Sequence, residues 1–148
     1  MLFAVLLVGC SGVREVVAPP PEPTAAANPS AFEELSGAVI PEFAESVEVF
    51  SVGDSGSLRK YVATFTLPSE EDAADFCASG KIGNYLPVSA GELPKEQHER
   101  HFIGDAELVE PRRCTSAKPG ENVDRSVVFS FPEGERVSVW AVAQEVGR

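Results

Sequence analysis

Val127-Val128-Phe129-Ser130-Phe131-Pro132-Glu133-Gly134-Glu135-Arg136-Val137-Ser138-Val139-Trp140-Ala141-Val142-Ala143 is the stretch that decides the fold. Side chains alternate between faces along an extended chain, so Val127, Phe129 and Phe131 share one face. Val137, Val139, Ala141 and Ala143 do the same, while Trp140 falls opposite them with Ser138 and Val142. Two such runs around Pro132-Glu133-Gly134-Glu135 predict an antiparallel hairpin.

The same pattern occurs upstream. Val47-Glu48-Val49-Phe50-Ser51-Val52 precedes a dense turn, Gly53-Asp54-Ser55-Gly56-Ser57, and a second run follows from Leu58 to Leu67. In that run Tyr61, Ala63, Phe65 and Leu67 fall on one face, with Val62, Thr64 and Thr66 on the other. This predicts another hairpin. Pro68 ends it, and Ser69-Glu70-Glu71-Asp72 opens a helix. Ser69 is placed to cap the free amides, Asp72 to complete a capping box, and the acids suit the positive end of the helix dipole. Ala73, Ala74, Phe76 and Cys77 supply its apolar face, and Gly80 ends it. Three acids in one helical turn diverge, so this cluster is a helix start rather than a calcium site.

Between residues 81 and 119, repeated Gly and Pro breaks, among them Gly83, Pro87, Gly91, Pro94, Pro111 and Pro119, leave room for one short helix, Pro94 to Phe102, and one strand, Ala106 to Val109. Ala31-Phe32-Glu33-Glu34-Leu35 adds a helical turn stopped by Gly37. The expected fold is α+β, a small antiparallel sheet built from two hairpins with one or two helices packed on it and one disulfide. It occupies residues 31–148 as a single domain, which the total length of 148 residues permits.

Ahead of this domain the composition changes. Pro19-Pro20-Pro21-Glu22-Pro23 and Thr24-Ala25-Ala26-Ala27-Asn28-Pro29 offer few large apolar groups, and proline removes backbone donors. An extended spacer rising about 3.1 Å per residue is expected over residues 10–30. Before it, Leu2 to Val8 form an apolar run that ends in Gly9-Cys10. That run is too short to cross a membrane, which takes ~20 apolar residues. It has the shape of a signal-peptide core. A buried strand of a cytosolic domain is the other reading of such a run, and it leaves the adjoining Pro/Ala stretch unaccounted for.

Leu7-Val8-Gly9-Cys10 resembles the lipobox of bacterial lipoproteins. The resemblance implies a signal peptide over residues 1–9, lipid on the Cys10 sulfur and a mature protein held to the cell membrane, facing outside the cytoplasm. No Lys or Arg precedes Cys10, as one does in a complete signal, so the signal peptide is expected to be truncated at its N-terminus. In the body, Ile40-Pro41, Phe65-Thr66-Leu67-Pro68 and Phe76-Cys77 resemble small actinobacterial lipoproteins, a group that supplies no activity to carry over.

Of the three cysteines, lipid on Cys10 leaves Cys77 and Cys114 as an even pair. In an exported chain that pair reads as a disulfide, and in a reduced cytosol as two buried thiols. The net charge of −11, with both signs scattered, argues against nucleic acid as a partner.

Catalytic motifs are few. Gly53-Asp54-Ser55-Gly56 matches the tetrapeptide around the nucleophile of chymotrypsin-like proteases, but His98 and His101 follow Ser55 instead of preceding it. It fails Gly-x-Ser-x-Gly because Ser57 takes the last position. His98-Glu99-Arg100-His101 puts two imidazoles three residues apart, able on a helix to meet one metal ion with Glu96 or Glu99. Lys95 and Arg100 would oppose a cation, and the segment reads as polar all round, a solvated helical turn. The sequence therefore points to a non-catalytic binding or accessory lipoprotein without metal or cofactor, with an envelope protein or ligand as partner. The alternative is a small extracytoplasmic metal-dependent hydrolase using His98 and His101.

Overall fold

The computed structural model describes residues 24–53 and 58–147. Cys10 and its lipobox, the spacer up to residue 23, and residues 54–57, which include Asp54, Ser55 and Gly56 of the protease-like tetrapeptide, lie outside these residues.

One antiparallel sheet dominates. In chain order the elements are β1 (Thr24–Ala26), α1 (Pro29–Ser36), β2 (Glu45–Val52), β3 (Lys60–Leu67), α2 (Glu70–Ser79), β4 (Leu86–Pro87), a 3-10 turn (Ala90–Glu92), α3 (Lys95–Arg100), β5 (Arg112–Ala117), β6 (Val123–Ser130) and β7 (Val137–Glu145). The strands lie side by side as β1-β2-β3-β7-β6-β5-β4, so each expected hairpin is present and the two meet along β3 and β7.

Period-two alternation sets the faces. Val49 pairs with Ala63, Ala63 with Ala141, Ala141 with Val127, and Val139 with Phe129. These residues make one apolar face, on which Phe32 and Leu35 of α1 and Ala73, Phe76 and Cys77 of α2 are buried. Phe65 and Phe76 meet edge to face with ring centroids 5.2 Å apart.

Both helices begin as their sequences demand. Asn28 caps α1 by accepting from the Ser30 amide at 3.0 Å, and Gly37 closes it in the left-handed conformation at φ 75°. Ser69 Oγ accepts from the Asp72 amide at 3.3 Å and donates to Asp72 Oδ2 at 2.7 Å. The capping box thus runs through the hydroxyl, not through the Ser69 amide.

Three expectations need correction. The sheet is seven-stranded among the described residues, richer in strand than two hairpins. The ordered unit does not start at residue 31, because Thr24–Ala26 pair with Phe50–Val52 and extend the sheet into the stretch read as spacer. Short, exposed and built of Thr and Ala, β1 is held by backbone pairing and by the Ser51 hydroxyl, which donates to the Ala25 carbonyl at 3.4 Å, and composition signals neither. Ala106–Val109 is not a strand; that role falls to Arg112–Ala117, where Cys114 points inward between polar neighbours.

Cys77 and Cys114 are bonded, with Cα atoms 6.4 Å apart. The bridge ties α2 to β5 inside the core, and the two residues are 1% and 0% exposed.

Candidate functional site

The face of the sheet opposite α1 and α2 is covered over only part of its width. A strap from residue 88 to 109, which contains α3, crosses that face from Val128 of β6 to Phe50 of β2. Val88, Leu93 and Ile103 are buried against Val128, with Leu108 and Trp140 beside them. Phe102 lies against Val62, Val142 and Phe50 and stacks edge-on to Phe50 at 5.1 Å.

Beyond the strap the face is open. Val47, Glu48, Thr64, Thr66, Ser138 and Trp140 line a shallow groove of about 530 Å3. The hydroxyls of Thr64 and Ser138 line the groove from outward positions of β3 and β7, where the inward positions carry Ala63, Phe65 and Val139. That of Thr66 is already engaged, donating to the Glu45 carbonyl at 3.4 Å. A bulge between Glu45 and Glu48, with Ser46 at φ 53°, turns the rim of β2 aside. Arg136 fixes one end: its Nε donates to Thr66 Oγ1 at 3.0 Å and lies 3.3 Å from Glu45 Oε2. The groove offers hydroxyl donors and acceptors, a carboxylate and an indole. Groups of these types are able to meet a ligand by hydrogen bonding and ring contact.

His98 and His101 do not act as a pair. His98 is half-buried on α3, whereas His101 is fully buried under the strap, which corrects the expectation of a turn solvated all round. His101 Nδ1 lies 2.7 Å from the Gln97 carbonyl and Nε2 lies 2.8 Å from Ser126 Oγ. A carbonyl only accepts, so Nδ1 carries the proton and Nε2 accepts from the Ser126 hydroxyl. Both ring nitrogens are therefore committed. Burial pulls the imidazole from 6.5 down to about 4, partly opposed by the Gln97 carbonyl and reinforced by the charges of Arg100, Arg113 and Lys60. Among the described residues no group of three His, Cys, Asp or Glu is placed to hold a metal ion. Of the acids at the start of α2, Glu70 reaches Arg112 Nε at 3.0 Å and Asp72 serves the cap.

Arg125 is the second buried polar residue of consequence. It is 1% exposed on the helix-facing side of β6. Its guanidinium donates to the Ser36 carbonyl at 2.8 Å, to the Gly80 carbonyl and to Ser116 Oγ at 3.1 Å. Longer bonds reach the Ala117 carbonyl at 3.3 Å and the Lys81 carbonyl at 3.4 Å. The carbonyls at the ends of α1 and α2 carry the negative end of each helix dipole, so a cation between them suits both. Gly80 is required by the same closeness, since a Cβ there would lie 2.9 Å from Ala38 Cβ.

Sequence reasoning did not single out Arg125, Ser126 or Glu48. One sign was legible: Arg125 falls in phase with Val123, Val127 and Phe129, so it must face the core.

Comparison with protein-family models, with curated proteins and with solved structures finds no match for this chain. No helix among the described residues is long and apolar enough to cross a membrane.

Proposed function

We propose that this protein is a membrane-anchored extracytoplasmic lipoprotein, lipidated on Cys10, with a non-catalytic binding or accessory role in the cell envelope. The observation that carries this reading is the buried bond between Cys77 and Cys114. A structural disulfide belongs to an oxidising compartment, and it leaves Cys10 as the cysteine available for lipid. The open groove around Thr64, Thr66, Ser138, Glu48 and Trp140 is the surface assigned to the partner, an envelope protein or ligand. The acidic charge of −11 weighs against nucleic acid. A hydrolase built on His98 and His101 is the weaker reading, because both nitrogens of His101 are already used within the fold.

Expression in a bacterial host, with a photo-crosslinking residue at Thr64 or, as a control, at exposed Glu71, tests both halves. Native protein is expected in the detergent phase and Cys10→Ser in the aqueous phase. Crosslinks to an envelope component are expected from Thr64 and not from Glu71. An unmodified N-terminus at Met1 overturns the anchor, and equal crosslinking from both positions overturns the groove.

A further inference from the structure

The strap over residues 88–109 is held in an unusual way. Helix α3 is six residues long, begins at Pro94 without a side-chain cap, and buries none of its own residues. Its attachment comes just afterwards, through His101, Phe102 and Ile103. Phe102 sits at φ 57° and Glu110 at φ 44°, a left-handed conformation that costs a bulky or ordinary L-residue free energy. The closed strap is therefore strained, and His101 is its buried polar peg.

A second proton on that ring has nowhere favourable to go. Both nitrogens would then donate, so the Ser126 hydroxyl would have to turn and accept. The charged groups that act on the ring are Arg100 on α3, Arg113 on β5 and Lys60 on β3, all cationic. From β6 the neutral Ser126 bonds it, and Asp124, two residues along on the same face, is the acid of that strand and makes no hydrogen bond to the ring. A buried imidazolium without an anionic partner is strongly disfavoured.

We infer that His101 makes the strap an acid-released cover: taking up a proton lifts residues 88–109 from the sheet and bares Val128, Val142 and the covered side of Trp140. Because Trp140 also lines the open groove, release extends that groove into an apolar surface. The inference stands on the geometry of the strap and holds whether or not Cys10 carries lipid.

The sign follows from linkage. The closed form holds its proton only near pH 4, while a solvated imidazole does so near 6.5, so closure is fully favoured above 6.5 and weakens as pH falls toward 4. Between pH 7 and 4.5 the opening equilibrium should rise about fifty-fold on these values.

Hydrogen exchange with mass-spectrometric readout, on the full chain with its disulfide intact, tests this after intrinsic exchange rates are divided out. Protection over residues 88–109 should fall about fifty-fold from pH 7 to 4.5 while α1 and α2 keep theirs. His98→Ala should retain the response, and His101→Gln should lose it. Independently of any variant, NMR of the native protein should show the His101 ring and the strap amides titrating with one midpoint. Unchanged strap protection, loss shared equally by α1 and α2, separate midpoints, or an acid response persisting in folded His101→Gln each overturns the inference.

Discussion

Arg125→Met removes a buried charge while keeping a stem of similar length, and it isolates what the arginine does for the fold. The two shortest carbonyl contacts, to Ser36 and Gly80, lie at the buried ends of α1 and α2. Left unpaired, each buried carbonyl costs about 1–3 kcal/mol, so the pair costs about 2–6 kcal/mol. Relief of the arginine's own desolvation offsets part of this, since a buried charge is itself expensive. The expected net loss is about 3 kcal/mol, a large share of the ~5–15 kcal/mol that holds a domain folded. Urea unfolding followed by Trp140 fluorescence measures it, with a drop in midpoint and an unchanged slope expected. Arg125→Lys keeps the charge but loses the planar fork, so it should fall between wild type and Arg125→Met. If Arg125→Met lies within about 0.5 kcal/mol of wild type, or above it, the guanidinium is not what joins the two helix ends.

Reduction should separate a covalent from a packing contribution at the core. The Cys77–Cys114 bond spans a sequence separation of 37, for which the chain-entropy relation gives roughly 4 kcal/mol. Urea midpoints with and without reductant check this, and equal midpoints would contradict it. Gly80→Ala should cost about 1–3 kcal/mol because its Cβ would press on Ala38 backbone as well as side chain. Gly83→Ala, with nothing within 4 Å of the added carbon, is the matched control.

What could be read from the sequence followed from periodicity and caps. Both hairpins were legible because Tyr61, Ala63, Phe65 and Leu67, and Val127, Phe129, Val137, Val139 and Ala141, fall in phase on one face around turn residues, and such a face has one way to be buried. Ser69 and Gly37 marked helix ends because free amides and a left-handed turn restrict which residues fit. The disulfide was legible from parity, a count of three less one. β1 and β5 were not, because their pairing depends on backbone bonds to neighbours that local composition cannot reveal. The burial of His101 was hidden for a related reason. Lys95, Glu96, Gln97, Glu99 and Arg100 describe a solvated helix, and only the chain's next turn carries the ring underneath it. The groove is a property of what fails to cover β3 and β7, and no residue of those strands announces it.

The position of β1 has a mechanical consequence. Any force entering the described domain from its N-terminal side arrives first at Thr24, on an outermost strand joined by the pairs Thr24–Val52, Ala25–Ser51 and Ala26–Phe50. Two residues later the load meets α1, whose Phe32 and Leu35 are anchored in the core. Under tension β1 would detach first, adding about 10 Å of slack at ~3.3 Å per residue. Until then those pairs pass the load to β2, and the body, with α2 cross-linked to β5, stays folded while they yield. Residues 24–26 therefore behave as a fuse, yielding at low load and re-forming when the load is removed.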